Sequence, residues 1–121
     1  MPLKAMKEFL YIFRGGDASR TDQTPEEMQG HMQKWGAWMG QMAQQGKLVR
    51  GEPLQKEGNV LSGSSKVLTD GPFVEGKEVV GGYLLVKEDD LAAATEMAKG
   101  CPIFEHEGTV EVREITPIPE M

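Results

Sequence analysis

The chain has 121 residues, 39% hydrophobic and 26% charged, which predicts one soluble globular domain over residues 1–121 with a single core. A net charge of −6 with thirteen scattered Lys and Arg excludes the concentrated basic surface that nucleic acid requires, and no apolar run approaches the ~20 residues of a bilayer span. The single cysteine, Cys101, excludes an intramolecular disulfide framework, and "MPLKAMKEFLYIF" lacks the apolar core and cleavage site of a secretory leader, so a cytoplasmic location is expected.

Residues 6 to 14, "MKEFLYIFR", read as a strand. Phe9, Tyr11 and Phe13 share one face and Leu10 and Ile12 the other, so both faces are apolar. After the turn-rich "GGDASRTDQ", Thr24-Pro25-Glu26-Glu27 combines a capping hydroxyl, proline at the first helical position and glutamate three residues after the cap. Met28, Met32, Trp35, Met39 and Met42 recur at helical spacing, and Gly46 supplies the stop, predicting a helix over about residues 25–45. "KLVRGEPL" predicts a short strand ending at Pro53. "GNVLSGSSKVLTDGP" predicts a further strand or hairpin, broken at Ser62 to Ser65 and closed by an Asp70-Gly71-Pro72 turn. "EVVGGYLLVK" is a strand whose paired glycines point to a bend or a close backbone approach. Asp89 or Asp90 caps a second helix with Leu91, Ala94 and Ala98 on one face, and "TVEVREI" alternates as a last strand.

The order β-α-β-β-β-α-β, less its central hairpin elaboration, is the ferredoxin-like βαββαβ pattern: an α+β fold with an antiparallel sheet and both helices on one face. The Phe9/Tyr11/Phe13 row is expected to make the second face apolar, with a partner subunit covering it in a symmetric homodimer.

His31 falls between Trp38 and the Met42/Trp35 edge of the helical stripe, at ~100° per residue, and Glu27 lies one turn earlier. Such a histidine either satisfies itself at the margin of a core or serves acid–base chemistry near neutral pH. Asp70 likewise has a turn-forming role and a catalytic one, as the carboxylate partner of His31. Glu75, Lys77 and Glu78 beside Phe73 have the composition of a pocket rim as well as of a solvated surface. With Trp35 and Tyr83, these residues define the expected cleft: His31 and Asp70 catalytic, Trp35, Phe73, Lys77, Glu78 and Tyr83 contacting the ligand. The methionine stripe reads mainly as packing, a flexible apolar pocket being the alternative. No metal-ligand spacing and no phosphate-binding glycine loop occurs, so neither metal nor cofactor is expected.

"TDGPFVEGKEVVGGYLLV", "LAAATEMAKGCP" and "GTVEVREI", with "TPEEMQGHMQKWGAWMGQMAQQGKLVRGEPL" upstream, resemble the DGPF-type branch of the YCII-related family over nearly the whole chain. The resemblance implies a ferredoxin-like protomer that dimerises into an α/β barrel. It also implies a first-helix histidine, here His31, paired with an aspartate, for which Asp70 is the candidate. YCII-like proteins resemble muconolactone isomerase-type barrels, one related group performs dehydrochlorination of aromatic-ring degradation products, and DGPF-type proteins are often linked with extracytoplasmic-function sigma factors. Three functions therefore stand open: a cofactor-free acid–base enzyme of the isomerase or lyase kind on a small cyclic or carbonyl metabolite; a non-catalytic ligand-sensing or accessory module; and a purely architectural dimer.

Overall fold

The computed structural model describes residues 6–16, 23–55, 57–71 and 79–118, with the main chain alone described at 70 and 71. Their elements are β1 (Lys7–Arg14), α1 (Pro25–Gln44), β2 (Leu48–Pro53), β3 (Gly58–Ser62), β4 (Val67–Gly71), β5 (Val80–Glu88), α2 (Leu91–Ala98), a 3-10 helix (Pro102–His106) and β6 (Thr109–Glu114). The fold is α+β. The order follows the expected β-α-β-β-β-α-β, except that the central segment forms two strands, β3 and β4, and a 3-10 helix precedes the last strand.

Local chemistry accounts for the helix ends. The Thr24 hydroxyl accepts the Glu27 N–H at 3.1 Å, and Pro25 opens α1 without wasting a donor. At the other end Gly46 turns left-handed (φ 72°), which directs its N–H to Ala43 O and that of Lys47 to Met42 O. Asp90, the second of the two expected caps, accepts the Ala93 N–H at 2.8 Å and starts α2.

A four-stranded antiparallel sheet runs β2-β5-β1-β6, and β3-β4 forms a separate two-stranded sheet. The order interleaves two β-α-β units, since β5 lies between β1 and β2 while β1 lies between β5 and β6. The β3-β4 hairpin reverses at Gly63 to Lys66, where the Lys66 N–H donates to Gly63 O at 3.1 Å, as the Ser62–Ser65 break anticipates. The expected Asp70-Gly71-Pro72 turn does not begin at Asp70. Asp70 and Gly71 continue β4, opposite Asn59 and Gly58, because the cross-strand ladder extends through them; Pro72 lies outside the described residues.

Strand register decides which face meets the helices. Phe9 opposes Val86, Tyr11 opposes Leu84 and Val112, and Phe13 opposes Gly82 and Val110. This row lies under the helices: Tyr11 stacks on Trp38 with centroids 6.1 Å apart, and its hydroxyl donates to Ala94 O at 2.6 Å. It is therefore not the face left for a partner. The bulky aromatic row fills the helix–sheet layer together with Trp38, Met42, Ala94, Ala98 and Ile103. The opposite face carries half-buried Leu10, Ile12, Tyr83 and Leu85, edged by an Arg14–Glu111 ion pair and a Tyr83–Glu52 hydrogen bond of 2.9 Å.

Two further expectations change. The buried stripe of α1 is His31, Trp38 and Met42, whereas Met28 and Met32 are 52% and 62% exposed. Leu91 is also exposed, and Ala94 and Ala98 alone form the buried face of α2, because small residues let the helix approach β1 closely. At the end of β5, buried Glu88 is held by Lys47 Nζ at 2.7 Å and by the Asp89 N–H at 3.1 Å.

Candidate functional site

A cavity of about 440 Å³ opens between α1 and the β2–β5 end of the sheet. From α1 it takes Met32, Trp35 and Met39; from the sheet it takes Phe13, Gly82 and Leu84, with Gly51 to Leu54 along β2. Its size falls in the range of small-molecule sites, which are mostly apolar with few polar groups.

The floor is bare because glycine is required there. A Cβ on Gly82 would lie 2.9 Å from Glu52 O, and one on Gly51 would lie 2.5 Å from Tyr83 O. The two strands approach too closely for any side chain on that face. Register shifts between Phe13 and Arg14 along β1–β5, so Gly81 bulges out of the pairing, and its carbonyl accepts the Leu54 N–H at 2.9 Å. The Gly81-Gly82 pair thus provides both the bend and the close approach that its spacing anticipates.

Trp35 forms one wall and also the link to His31. Its indole N–H donates to His31 Nε2 at 3.1 Å, and its ring stands edge-on to Phe13 at 5.1 Å. His31 itself is 7% exposed and is not among the cavity's lining residues. Its ring stacks on His106 of the 3-10 helix, centroids 4.1 Å apart and planes 26° apart. Gln23 Nε2 lies 3.3 Å from His106 Nε2. Alongside, Lys34 Nζ bonds Glu105 Oε1 at 2.8 Å. That hydrogen bond, reinforced by charge from Lys34, His31 and His106, holds the Glu105 carboxyl below its usual range.

The residues anticipated from sequence therefore divide. Trp35 and Tyr83 both line the cavity. Tyr83 borders the cavity from β5, but its side chain lies on the opposite sheet face, where its hydroxyl donates to Glu52, a carboxylate contact that pushes the phenol above its ordinary range. His31 sits one side chain behind the wall. Asp70 is placed on β4, its side chain outside what is described; Phe73, Lys77 and Glu78 lie outside the described residues. Glu27 gives its backbone N–H to the Thr24 cap, and the ring stacked against His31 is that of His106.

Sequence reading missed His106 as the neighbour of His31. The chain holds only two histidines, but nothing local in "PIFEH" marks a contact across 75 positions of chain, which only the return of the chain to β6 creates. The expectation also undervalued Met32 and Met39, which flank Trp35 on the cavity side of α1. Thioether side chains there give an adaptable apolar wall. Among the described residues, no group of three His, Cys, Asp or Glu could hold a metal ion, and no helix is long and apolar enough to cross a membrane.

Two helices on one face of an interleaved antiparallel sheet, with an apolar cavity at the sheet's β2 edge, define a small α+β domain built around a side pocket. A family model for the YCII-related domain matches residues 9–119. The chain belongs to the YCII-related domain family. No curated protein matches it.

Proposed function

We propose that the chain binds a small, uncharged cyclic or carbonyl compound in the cavity against Trp35. The observation that carries this reading is the cavity itself: about 440 Å³, walled by Phe13, Met32, Trp35, Met39 and Leu84, with glycine on its floor. Neither Lys, Arg nor His is among the described lining residues, so an anionic group entering it would lose hydration without gaining a counter-charge. The test is saturable binding of neutral ring compounds with a ligand-dependent rise in melting temperature. Occupancy at 100 times Kd stabilises the fold by about 2.7 kcal/mol. The carboxylate analogue of the same ring should bind at least tenfold more weakly; equal binding sinks the neutral-ligand reading.

A second reading, acid–base catalysis of an isomerase or lyase kind without a cofactor, is favoured by one observation: the stacked His31–His106 pair behind Trp35. In that reading His31 transfers the proton and Asp70 orients it, while Phe73, Lys77 and Glu78 complete the cleft. Product formation that His31→Asn and Asp70→Asn each abolish, without loss of binding, would support it; a ligand that leaves unchanged supports the binding module. We further place the chain in the DGPF-type branch, with a ferredoxin-like protomer pairing through its open sheet face into a dimeric barrel. A cytoplasmic setting and an accessory role beside an extracytoplasmic-function sigma factor belong to the same reading.

A further inference from the structure

We infer that the His31–Trp35 hydrogen bond is an acid-sensitive latch on the cavity wall, so that protonation of His31 loosens the wall and lowers affinity for the bound ligand. The inference rests on the small-molecule reading of the cavity and adds its regulation.

The geometry allows one protonation state of His31 and forbids the other. Trp35 Nε1 carries a hydrogen and is a donor only, so the 3.1 Å contact requires His31 Nε2 to hold a free lone pair. That nitrogen accepts only in the neutral ring, with the ring proton on Nδ1. Adding a proton at Nε2 sets N–H against N–H and breaks the bond. Imidazole is the side chain that ordinarily exchanges a proton near neutral pH, which sets the two pH values compared below.

The bond acts on the cavity because Trp35 belongs to both structures. Its indole lines the cavity, and beyond the His31 bond its ring is held by edge contacts with Phe13 at 5.1 Å and Trp38 at 5.7 Å. These contacts constrain the ring's position, but the hydrogen bond fixes which way its N–H edge points. A wall held in the bound geometry costs nothing to order when ligand arrives; a released wall must be ordered at the ligand's expense. By linkage, ligand occupancy must in turn disfavour proton uptake.

The charged and titratable groups that face the latch among the described residues come from two elements. Lys34 and Glu27 lie on α1, and Glu105 and His106 on the 3-10 helix, with Gln23 at the foot of α1. The Glu105 carboxylate is itself held by Lys34 at 2.8 Å. The His106 ring stacks on that of His31 with centroids 4.1 Å apart.

The experiment is a fluorescence titration of the full chain with N-phenyl-1-naphthylamine, an uncharged ring compound, at pH 7.5 and pH 5.5. The latch predicts that Kd rises about five- to tenfold at pH 5.5, the worth of one hydrogen bond. Trp35→Phe keeps an aromatic wall without the N–H, and His31→Gln keeps a polar side chain that does not titrate; each should bind with the same Kd at both pH values. Far-UV circular dichroism checks that both variants are folded, and either one suffices for the comparison. A pH-independent Kd in the parent chain, or an undiminished pH step in a folded variant, overturns the latch while leaving the cavity reading intact. Failure of the probe to saturate the parent chain at pH 7.5 overturns the cavity reading and the latch together.

Discussion

Tyr11 shows how one residue couples the sheet to the helices. Its ring is fully buried and stacked on Trp38, and its hydroxyl donates to Ala94 O at 2.6 Å, pinning α2 to β1. Burial, with the nearby Glu88 and Cys101 adding to it, pushes the phenol well above the ordinary range near pH 10. The sign follows from the proton balance. The folded phenol stays neutral where the unfolded one ionises, so its contribution is fully present below pH ~10 and is lost as pH rises toward the folded value. Tyr11→Phe should cost about 1 kcal/mol at pH 8 through the lost hydrogen bond to Ala94 O. It should also flatten the fall in stability between pH 9.5 and 11, measured by urea unfolding at each pH. An equally steep fall in the variant would place the alkaline sensitivity elsewhere. Tyr11 was legible as an apolar strand position; its hydrogen bond was not, because the acceptor lies 83 positions away.

At the scale of the element, α1 serves two surfaces with one helix. Trp38 and Met42 point into the core, while Met32, Trp35 and Met39 look toward the cavity. Trp38→Ala should cost about 3–5 kcal/mol, as a large core deletion does. Met32→Gln, at a position 62% exposed, should stay within about 0.5 kcal/mol and instead weaken binding of a neutral ring compound. Thermal unfolding separates the two, and a large stability loss for Met32→Gln would return that residue to the core. The helical period alone cannot assign these faces. A stripe over 100° wide looks the same whether a core or an empty cavity lies opposite, and the difference here is set by glycine at positions 51 and 82 of the facing strands. Strand chemistry was equally double-edged at Asp70-Gly71, whose composition suits a turn but which a neighbouring strand recruits into a ladder.

For the whole molecule, the proposed homodimer is to be tested at the open sheet face. Leu10, Ile12, Tyr83 and Leu85 form a half-buried apolar band between charged edges that each carry both signs, Arg50 and Glu52 on β2, Glu111 and Arg113 on β6. Such a face suits a second copy of itself. If the homodimer forms there, Ile12→Glu should shift the protein from dimer to monomer at micromolar concentration in analytical ultracentrifugation, with helix content retained. A variant that sediments as the parent chain does would move the interface off this face. Leu61 and Leu68, directly paired across the β3-β4 hairpin, are also exposed. A two-stranded hairpin is marginal by itself.

The order of the main strands and helices, both helix caps, the α1 stop at Gly46 and the close approach at Gly82 were all readable along the chain. Each depends on residues within a few positions of one another, where propensity and capping act directly. The family membership was likewise carried by contiguous motifs. The face that Phe9, Tyr11 and Phe13 present to the helices, the cavity beside Trp35 and the stacking of His31 on His106 belong to the tertiary structure alone. They join segments tens of residues apart, and a period-two or 3.6-residue pattern shows that a side is apolar without showing what lies against it.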